Sequence, residues 1–372
     1  MASPAEIQAM RRALELARAG GLSAFPNPLV GAVIFDSSGN IVGEGYHEIC
    51  GGPHAEVLAL EKASDAAFRG TLVVTLEPCC HYGRTSPCTD AILSAGIARV
   101  VVAMEDPDPR VAGRGIQTLR DGGIQVETGV LREEALRVNS TYLHFRETGR
   151  SWLRLKLALS MDGRLAAADG GAEWITCPTS REAVHRMRAE SAAVLTGAGT
   201  VRSDDPRLTV RLSEAGPTGQ PVRIILSMSG DMGGSERIFS GDARTIVVVP
   251  EGTPTEIIAP IKNLGAEIWE LPGASDRVGI DLHTLLRRTA EEGMGEVLAE
   301  CGSGLSTALL RERLVNSMAV FTAPLLLGAG GFPAVGDLSI PSMDSAIRLQ
   351  DVRASISGSD TLLEGSVVYG SD

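Results

Sequence analysis

Short apolar, β-branched runs separated by helix-sized segments constrain this chain more than any other feature. "TLVVTL" (71–76), "ARVVVAM" (98–104), "AAVLTG" (192–197), "VRIILS" (222–227), "TIVVVP" (245–250) and "GEVLAE" (295–300) are the right length for strands. They carry too few polar residues to leave one sheet face in water. Segments of helical character lie between them, so the chain must build sheets covered by helices, the α/β class. Its 372 residues exceed one ordinary core and suit two such units. The composition, 44% hydrophobic and 22% charged, is that of a globular chain.

The first unit begins with "ASPAEIQAMRRALELARAGG". Ser3, Pro4 and Glu6 form a capping-box pattern with proline in the first turn, and Ile7, Met10, Leu14 and Ala17 recur at helical spacing. That is an amphipathic helix of the fold rather than a secretion signal, and a cytoplasmic location is expected. "LVGAVIFD" (29–36) and "IVGEGY" (41–46) then predict a hairpin of two buried strands. A helix is expected from near His54, others at "CTDAILSAG" and 114–122, and a strand at 124–130. One helix over 131–149 closes the unit at Gly149. The second unit, 150–372, adds strands at 152–160 and 266–271, helices near 179–190, 281–291 and 304–314, and an antiparallel end after the run 317–328. Gly-Pro-rich "EAGPTGQP" (214–221) reads as a surface loop.

Charge and cysteine usage narrow the function. A formal net charge of −12 with no Lys/Arg run repels phosphate backbones and anionic lipid, which argues against nucleic-acid or membrane partners. No stretch approaches the ~20 apolar residues of a membrane span. Three of the six cysteines crowd between Cys79 and Cys88, a spacing for metal binding rather than a disulfide framework.

"HAEVLAL" (54–60) and "TLEPCCHYGRTSPCT" (75–89) offer five donors: His54, Cys79, Cys80, His81 and Cys88. A zinc deaminase needs three ligands and a carboxylate that moves protons without binding the metal. His54 and Glu56 supply the first ligand and that carboxylate. At ~100° per residue they share one pocket only at the first turn of the helix. Cys79 follows a buried strand, where open α/β sheets place their sites. Its partner is either Cys80, whose side chain diverges from it, or Cys88. The helix that starts at Cys88 is expected to stabilise a thiolate there. A closed structural site using Cys80 as a fourth ligand is the competing arrangement, and it leaves Glu56 without a purpose.

These motifs resemble the cytidine-deaminase superfamily. Together with "NPLVGAVI" (27–34) and "DPDPRVAGRGI" (106–116) they resemble, more narrowly, the deaminase half of the bifunctional riboflavin-biosynthesis deaminase/reductases. The resemblance selects His54, Cys79 and Cys88 as zinc ligands and Glu56 as proton shuttle. It implies hydrolytic deamination of a diamino-pyrimidinone ribosylamine phosphate to the aminouracil, with Asn27, His47, His81 and Arg84 orienting the substrate. It leaves Cys80 a bystander.

"LKLALSMDGRLA" (155–166), "WIT" (174–176), "GAGTVRSDDPRLTVR" (197–211) and "AECGSGL" (299–305) resemble the reductase half. The implied fold is that of dihydrofolate reductase beside a cytidine-deaminase-like α/β/α sandwich, and the implied cofactor is NADPH. By position, Lys156, Ala172, Arg188, Leu208, Arg211 and Glu300 are substrate residues; Ala158, Trp174, Thr200, Asp204, Gly302, Ser303 and Gly304 are cofactor residues. Alone, Gly197-Ala198-Gly199 reads as a turn, whereas Gly302-Ser303-Gly304 after a strand can open a helix that receives a pyrophosphate. Ser227 stands where relatives carry aspartate, and Cys301-Gly302 where many carry paired glycines or Ala-Gly; both bear on cofactor preference. A homo-oligomer is implied. Two other functions compete. A nucleoside or tRNA deaminase with a substrate-binding second half predicts no NADPH step, and a structural zinc protein leaves intact Glu56 unexplained.

Overall fold

The computed structural model describes residues 1–82, 86–170, 174–212, 219–230, 232, 234–274 and 279–370. Two compact units, Met1–Gly149 and Arg150–Asp372, divide the chain.

The first unit runs α1 (Pro4–Ala19), β1 (Gly31–Phe35), β2 (Ile41–Tyr46), α2 (Ala55–Ala63), β3 (Thr71–Val74), α3 (Cys88–Ser94), β4 (Arg99–Val102), α4 (Arg114–Asp121), β5 (Gln125–Thr128), α5 (Arg132–Val138) and α6 (Ser140–Thr148). Both halves of the capping box on α1 form: the Ser3 hydroxyl accepts from the Glu6 N–H, and the Glu6 carboxylate accepts from the Ser3 N–H at 2.6 Å. The sheet order is β2-β1-β3-β4-β5, with β1 antiparallel to β2 and β3, and β3, β4 and β5 parallel. Leu72, Val73 and Val74, and likewise Val100, Val101 and Val102, are fully buried at successive positions, so both faces of the sheet are covered.

Two expectations are corrected in this unit. β2 is an edge strand whose burial alternates, because only β1 pairs with it. The predicted helix 131–149 breaks at Asn139, whose buried amide leaves the helix to bond Leu29. Oδ1 accepts the Leu29 N–H at 2.8 Å and Nδ2 donates to the Leu29 carbonyl at 3.0 Å. α6 ends at Gly149 in the left-handed conformation (φ 69°), the expected terminator.

The second unit runs β6 (Trp152–Ser160), β7 (Arg164–Ala166), α7 (Pro178–Ala189), β8 (Ala193–Gly197), α8 (Ala198–Asp204), β9 (Val222–Leu226), β10 (Thr245–Pro250), α9 (Thr255–Asn263), β11 (Glu267–Leu271), α10 (Leu282–Glu291), β12 (Glu296–Glu300), α11 (Ser303–Arg311), β13 (Ser317–Ala323), β14 (Phe332–Pro333), β15 (Arg348–Ser357) and β16 (Asp360–Val368). Its main sheet has the order β11-β10-β9-β8-β12-β6-β13-β16-β15, parallel through β13 and antiparallel in the last two. Alternate residues segregate into two clusters. Leu195, Ile224, Ile246 and Val248 join one; Val194, Ile225, Val247 and Val249 join the other, as a sheet covered on both faces requires. Gly197-Ala198-Gly199 is not a turn but the cap and first residues of α8. The run 317–328 is strand only to Ala323; Pro324 follows, and proline cannot donate to the ladder. No helix among the described residues is long and apolar enough to cross a membrane.

Candidate active sites

His54 caps α2 in an extended conformation (φ −79°, ψ 159°) and Glu56 lies in its first turn, the one place where both side chains face one pocket. Gly45 allows this approach: a Cβ there would stand 2.4 Å from the Ala55 carbonyl, so the first turn of α2 rests directly on β2. Cys79 follows β3, and Cys88 opens α3 with its N–H donating to the Cys79 sulfur at 3.3 Å.

The His54 Nδ1 lies 3.1 Å from the Cys88 sulfur and 3.5 Å from that of Cys79; all three donor atoms lie within 4.8 Å of one another. Tetrahedral zinc, with Zn–S of ~2.3 Å and Zn–N of ~2.0 Å, separates neighbouring donors by roughly 3.5–3.8 Å. The donor set therefore fits zinc in spacing and in N/S chemistry, and three protein donors is the number of a catalytic site. Among the described residues no fourth His, Cys, Asp or Glu joins the group. The Cys80 sulfur points instead toward the Arg110 carbonyl, 4.0 Å away, which disfavours the closed structural arrangement.

The two ligand sulfurs are hydrogen-bonded to each other. Cys79 is pulled below its usual range, first by the hydrogen bond from Cys88 and then by His54, while Cys88 is pushed up by donating to Cys79 and by burial. The Cys88 N–H and thiol both serve the Cys79 sulfur. Glu56 is buried, and burial raises its carboxyl above the usual range.

Asn27 and His47 meet beside the ligands. His47 Nδ1 lies 3.0 Å from the Pro53 carbonyl, to which it can only donate, so its Nε2 accepts from the Asn27 amide at 3.0 Å. The ring stands edge-on to His54, centroids 5.4 Å apart, and burial lowers its pKa. His81 Nδ1 is buried with no hydrogen-bond partner among the described residues. Arg84 and Ala172 lie outside the described residues.

In the second unit, Glu300 ends β12 opposite Lys156 of β6, with Nζ 3.0 Å from Oε2. Arg188 of α7 binds the same carboxylate through Nε at 2.5 Å and Nη2 at 3.0 Å, and its Nη1 donates to the Thr209 carbonyl at 3.0 Å. The Arg211 N–H donates to His185 of α7 at 3.2 Å, and Leu208 is buried among Val194, Ala198, Val201 and Ile225. Burial, then the charges of Arg188, Arg207 and Arg237, push the Arg211 guanidinium below its usual range. Such a positive cluster suits a phosphate.

Ala158 shares a sheet face with Lys156, two residues on. Thr200 of α8 accepts the Gly302 N–H at 3.2 Å and so joins the first turns of α8 and α11, which includes Ser303 and Gly304. Asp204 is exposed at the end of α8 and takes a hydrogen bond from Ser203. Trp174 is 69% exposed and pairs with Arg181, whose guanidinium lies 4.5 Å above its ring. Ser227 is buried, with its hydroxyl unpartnered among the described residues; Cys301 is buried and its thiol is pushed up to about 12 by burial, an inert packing group. The sequence reading missed Glu77 and Asn139, buried polar residues that bind only backbone and leave no periodic signal.

Comparison with known proteins finds relatives of both units. The model of the cytidine and deoxycytidylate deaminase zinc-binding region matches residues 4–104, and that of the RibD C-terminal domain matches 151–363. Riboflavin biosynthesis protein RibD of Aquifex aeolicus is 40% identical over 356 residues, covering 95% of this chain and 96% of its own; that of Escherichia coli is 40% identical over 345 residues, covering 90% and 91%. The structure of Acinetobacter baumannii RibD, form 1, superposes with a TM-score of 0.84 at 37% identity, covering 98% of this chain and 99% of that one. A Thermotoga maritima diaminohydroxyphosphoribosylaminopyrimidine deaminase/5-amino-6-(5-phosphoribosylamino)uracil reductase superposes at 0.81 with 34% identity and the same coverage. The chain belongs to the RibD family: it is a bifunctional deaminase and reductase of riboflavin biosynthesis, with zinc serving the first activity and NADPH the second.

Proposed function

We propose that residues 1–149 deaminate a diamino-pyrimidinone ribosylamine phosphate to the aminouracil, and that residues 150–372 reduce its ribosyl group to a ribityl chain. The observation that carries the reading is the convergence of His54, Cys79 and Cys88 within 4.8 Å beside buried Glu56. Those three residues would hold zinc, which when bound would acidify a water and so make it a nucleophile near neutral pH. Glu56 takes the proton of the attacking water and delivers it to the departing ammonia; burial, by raising its pKa, equips it to hold that proton between the two events. His47, fixed as the Nδ1–H tautomer by Pro53, orients the ring together with Asn27, and His81 and Arg84 also serve the substrate.

In the second unit Lys156, Ala172, Arg188, Leu208, Arg211 and Glu300 hold the phosphorylated ribosylamine. Ala158, Trp174, Thr200, Asp204 and Gly302–Gly304 hold NADPH, which carries the hydride chemistry. The first turn of α11 has no capping side chain, and its N–H groups suit a cofactor phosphate. The partners are small molecules rather than nucleic acid, in a cytoplasmic homo-oligomer. Supplying purified protein with the diamino-pyrimidinone phosphate, with and without NADPH, tests the reading. Aminouracil should form without NADPH and ribityl product only with it. Absence of NADPH oxidation would favour a deaminase with a merely substrate-binding second unit.

A further inference from the structure

The helix α4 has no side-chain cap of its own: it starts after Gly113, which is in the left-handed conformation at φ 82°. Glu77, 36 residues upstream of Gly113, takes that place. Its Oε2 accepts the Gly113 N–H at 2.9 Å and the Asp106 N–H at 3.2 Å, and its Oε1 accepts the Ile116 N–H at 3.1 Å. The residue is 3% exposed, so this is a buried carboxylate held by backbone donors and by the positive end of a helix.

Two residues further on stands Cys79. Between them, Pro78 is pressed against the same helix: a Cβ on Gly115 would lie 2.0 Å from the Pro78 carbonyl oxygen. The Glu77 N–H is meanwhile bonded to the Met104 carbonyl at 3.0 Å. Beyond Pro78, Cys79 meets α3, its carbonyl accepting the Thr89 N–H at 3.2 Å and its sulfur the Cys88 N–H at 3.3 Å. The backbone entering Cys79 is thus fastened to α4 on one side and to α3 on the other, and Glu77 is the side chain that makes the first attachment.

We propose that Glu77 is a positioning residue of the metal site: by binding the first turn of α4 it fixes the backbone of Cys79, and so sets thiolate geometry and metal retention. This inference rests on the reading of His54, Cys79 and Cys88 as zinc ligands. A carboxylate is required because three N–H donors point at two oxygens, whereas glutamine turns an NH₂ toward at least one of them.

The test uses the full chain as Glu77→Gln and Glu77→Asp. Zinc release is followed in excess chelator, and the visible spectrum is recorded after cobalt replaces zinc. Outer partners of metal ligands typically affect affinity or activity by about 10–100-fold. Zinc release from Glu77→Gln should accelerate by about tenfold or more, the cobalt bands should shift, and deamination should fall through kcat, while NADPH-dependent reduction stays at the wild-type rate. Glu77→Asp, which keeps the charge but retracts it by one methylene, should fall between. Wild-type release and an unshifted spectrum in Glu77→Gln overturn the inference. If that variant leaves the first unit unfolded, Glu77→Asp decides: faster release upholds the inference and wild-type release overturns it. A wild-type chain that holds no metal overturns the zinc reading, and this inference with it; metal held alike by wild type and Glu77→Gln overturns the inference alone.

Discussion

Lys156 and Glu300 face each other across the parallel strands β6 and β12, with the ammonium 3.0 Å from the carboxylate. Burial alone would raise the Glu300 carboxyl, but the charges of Arg188 and Lys156 outweigh it and hold the group down at about 2. Replacing Glu300 with glutamine leaves two cations in a largely buried site without their counter-charge, a loss of about 3–5 kcal/mol for a broken buried pair. Because Arg188 and Lys156 also lose their alignment, NADPH-dependent reduction should fall by about 10²-fold while deamination persists. The sign of the pH effect follows from the depressed pKa. Glu300 stabilises the fold fully above its unfolded value of roughly 4.3, and this is lost as pH falls toward 2. Denaturant unfolding should therefore show the gap between wild type and Glu300→Gln narrowing over that interval; a gap that widens on acidification would contradict the assignment.

Glu56 is buried beside the metal donors without being one of them. Glu56→Gln keeps the shape and removes the proton acceptor, so deamination should drop by about 10²–10⁴-fold. Metal analysis should still find about one zinc per chain, and the deaminated intermediate should still be reduced with NADPH. Normal deamination by this variant would rule out the proton-shuttle role.

Asn139 joins Leu29 to the junction of α5 and α6 through two hydrogen bonds at 1% exposure. Alanine would strand the N–H and the carbonyl of Leu29, each at a cost of about 1–3 kcal/mol. We expect a loss of at least about 2 kcal/mol in chemical denaturation and a raised KM for deamination, since Leu29 lies two residues from Asn27. An unchanged KM would detach this junction from the substrate site.

The strand and helix order was legible because buried parallel strands read as short apolar runs, and the metal site because its donors sit at element ends marked by Gly-Gly-Pro before His54 and by the strand before Cys79. What escaped was of another kind. The break at Asn139 and the cap on α4 from Glu77 are side chains that satisfy a distant stretch of backbone, and nothing in the local pattern distinguishes them from solvated polar residues.

Of the five donors offered by the two motifs, the structure separates Cys80 from the ligand group, with its sulfur toward the Arg110 carbonyl. Cys80→Ser should therefore retain about one zinc per chain and near-normal deamination, since its sulfur faces the Arg110 carbonyl rather than the ligand group. Cys79→Ser and Cys88→Ser should each lose tight zinc, because an un-ionised hydroxyl is a poor substitute for a thiolate donor. The two losses should differ in their secondary effects. Cys79 accepts the N–H that opens α3, so its replacement also loosens that helix start, whereas Cys88, fully buried at 0% exposure, is replaced by a smaller hydroxyl in a site built for sulfur. Metal content and unfolding of the three variants measured side by side decide the assignment. Zinc lost from Cys80→Ser and kept by Cys88→Ser would restore the neighbouring pair Cys79 and Cys80 as ligands and overturn the long-gap site.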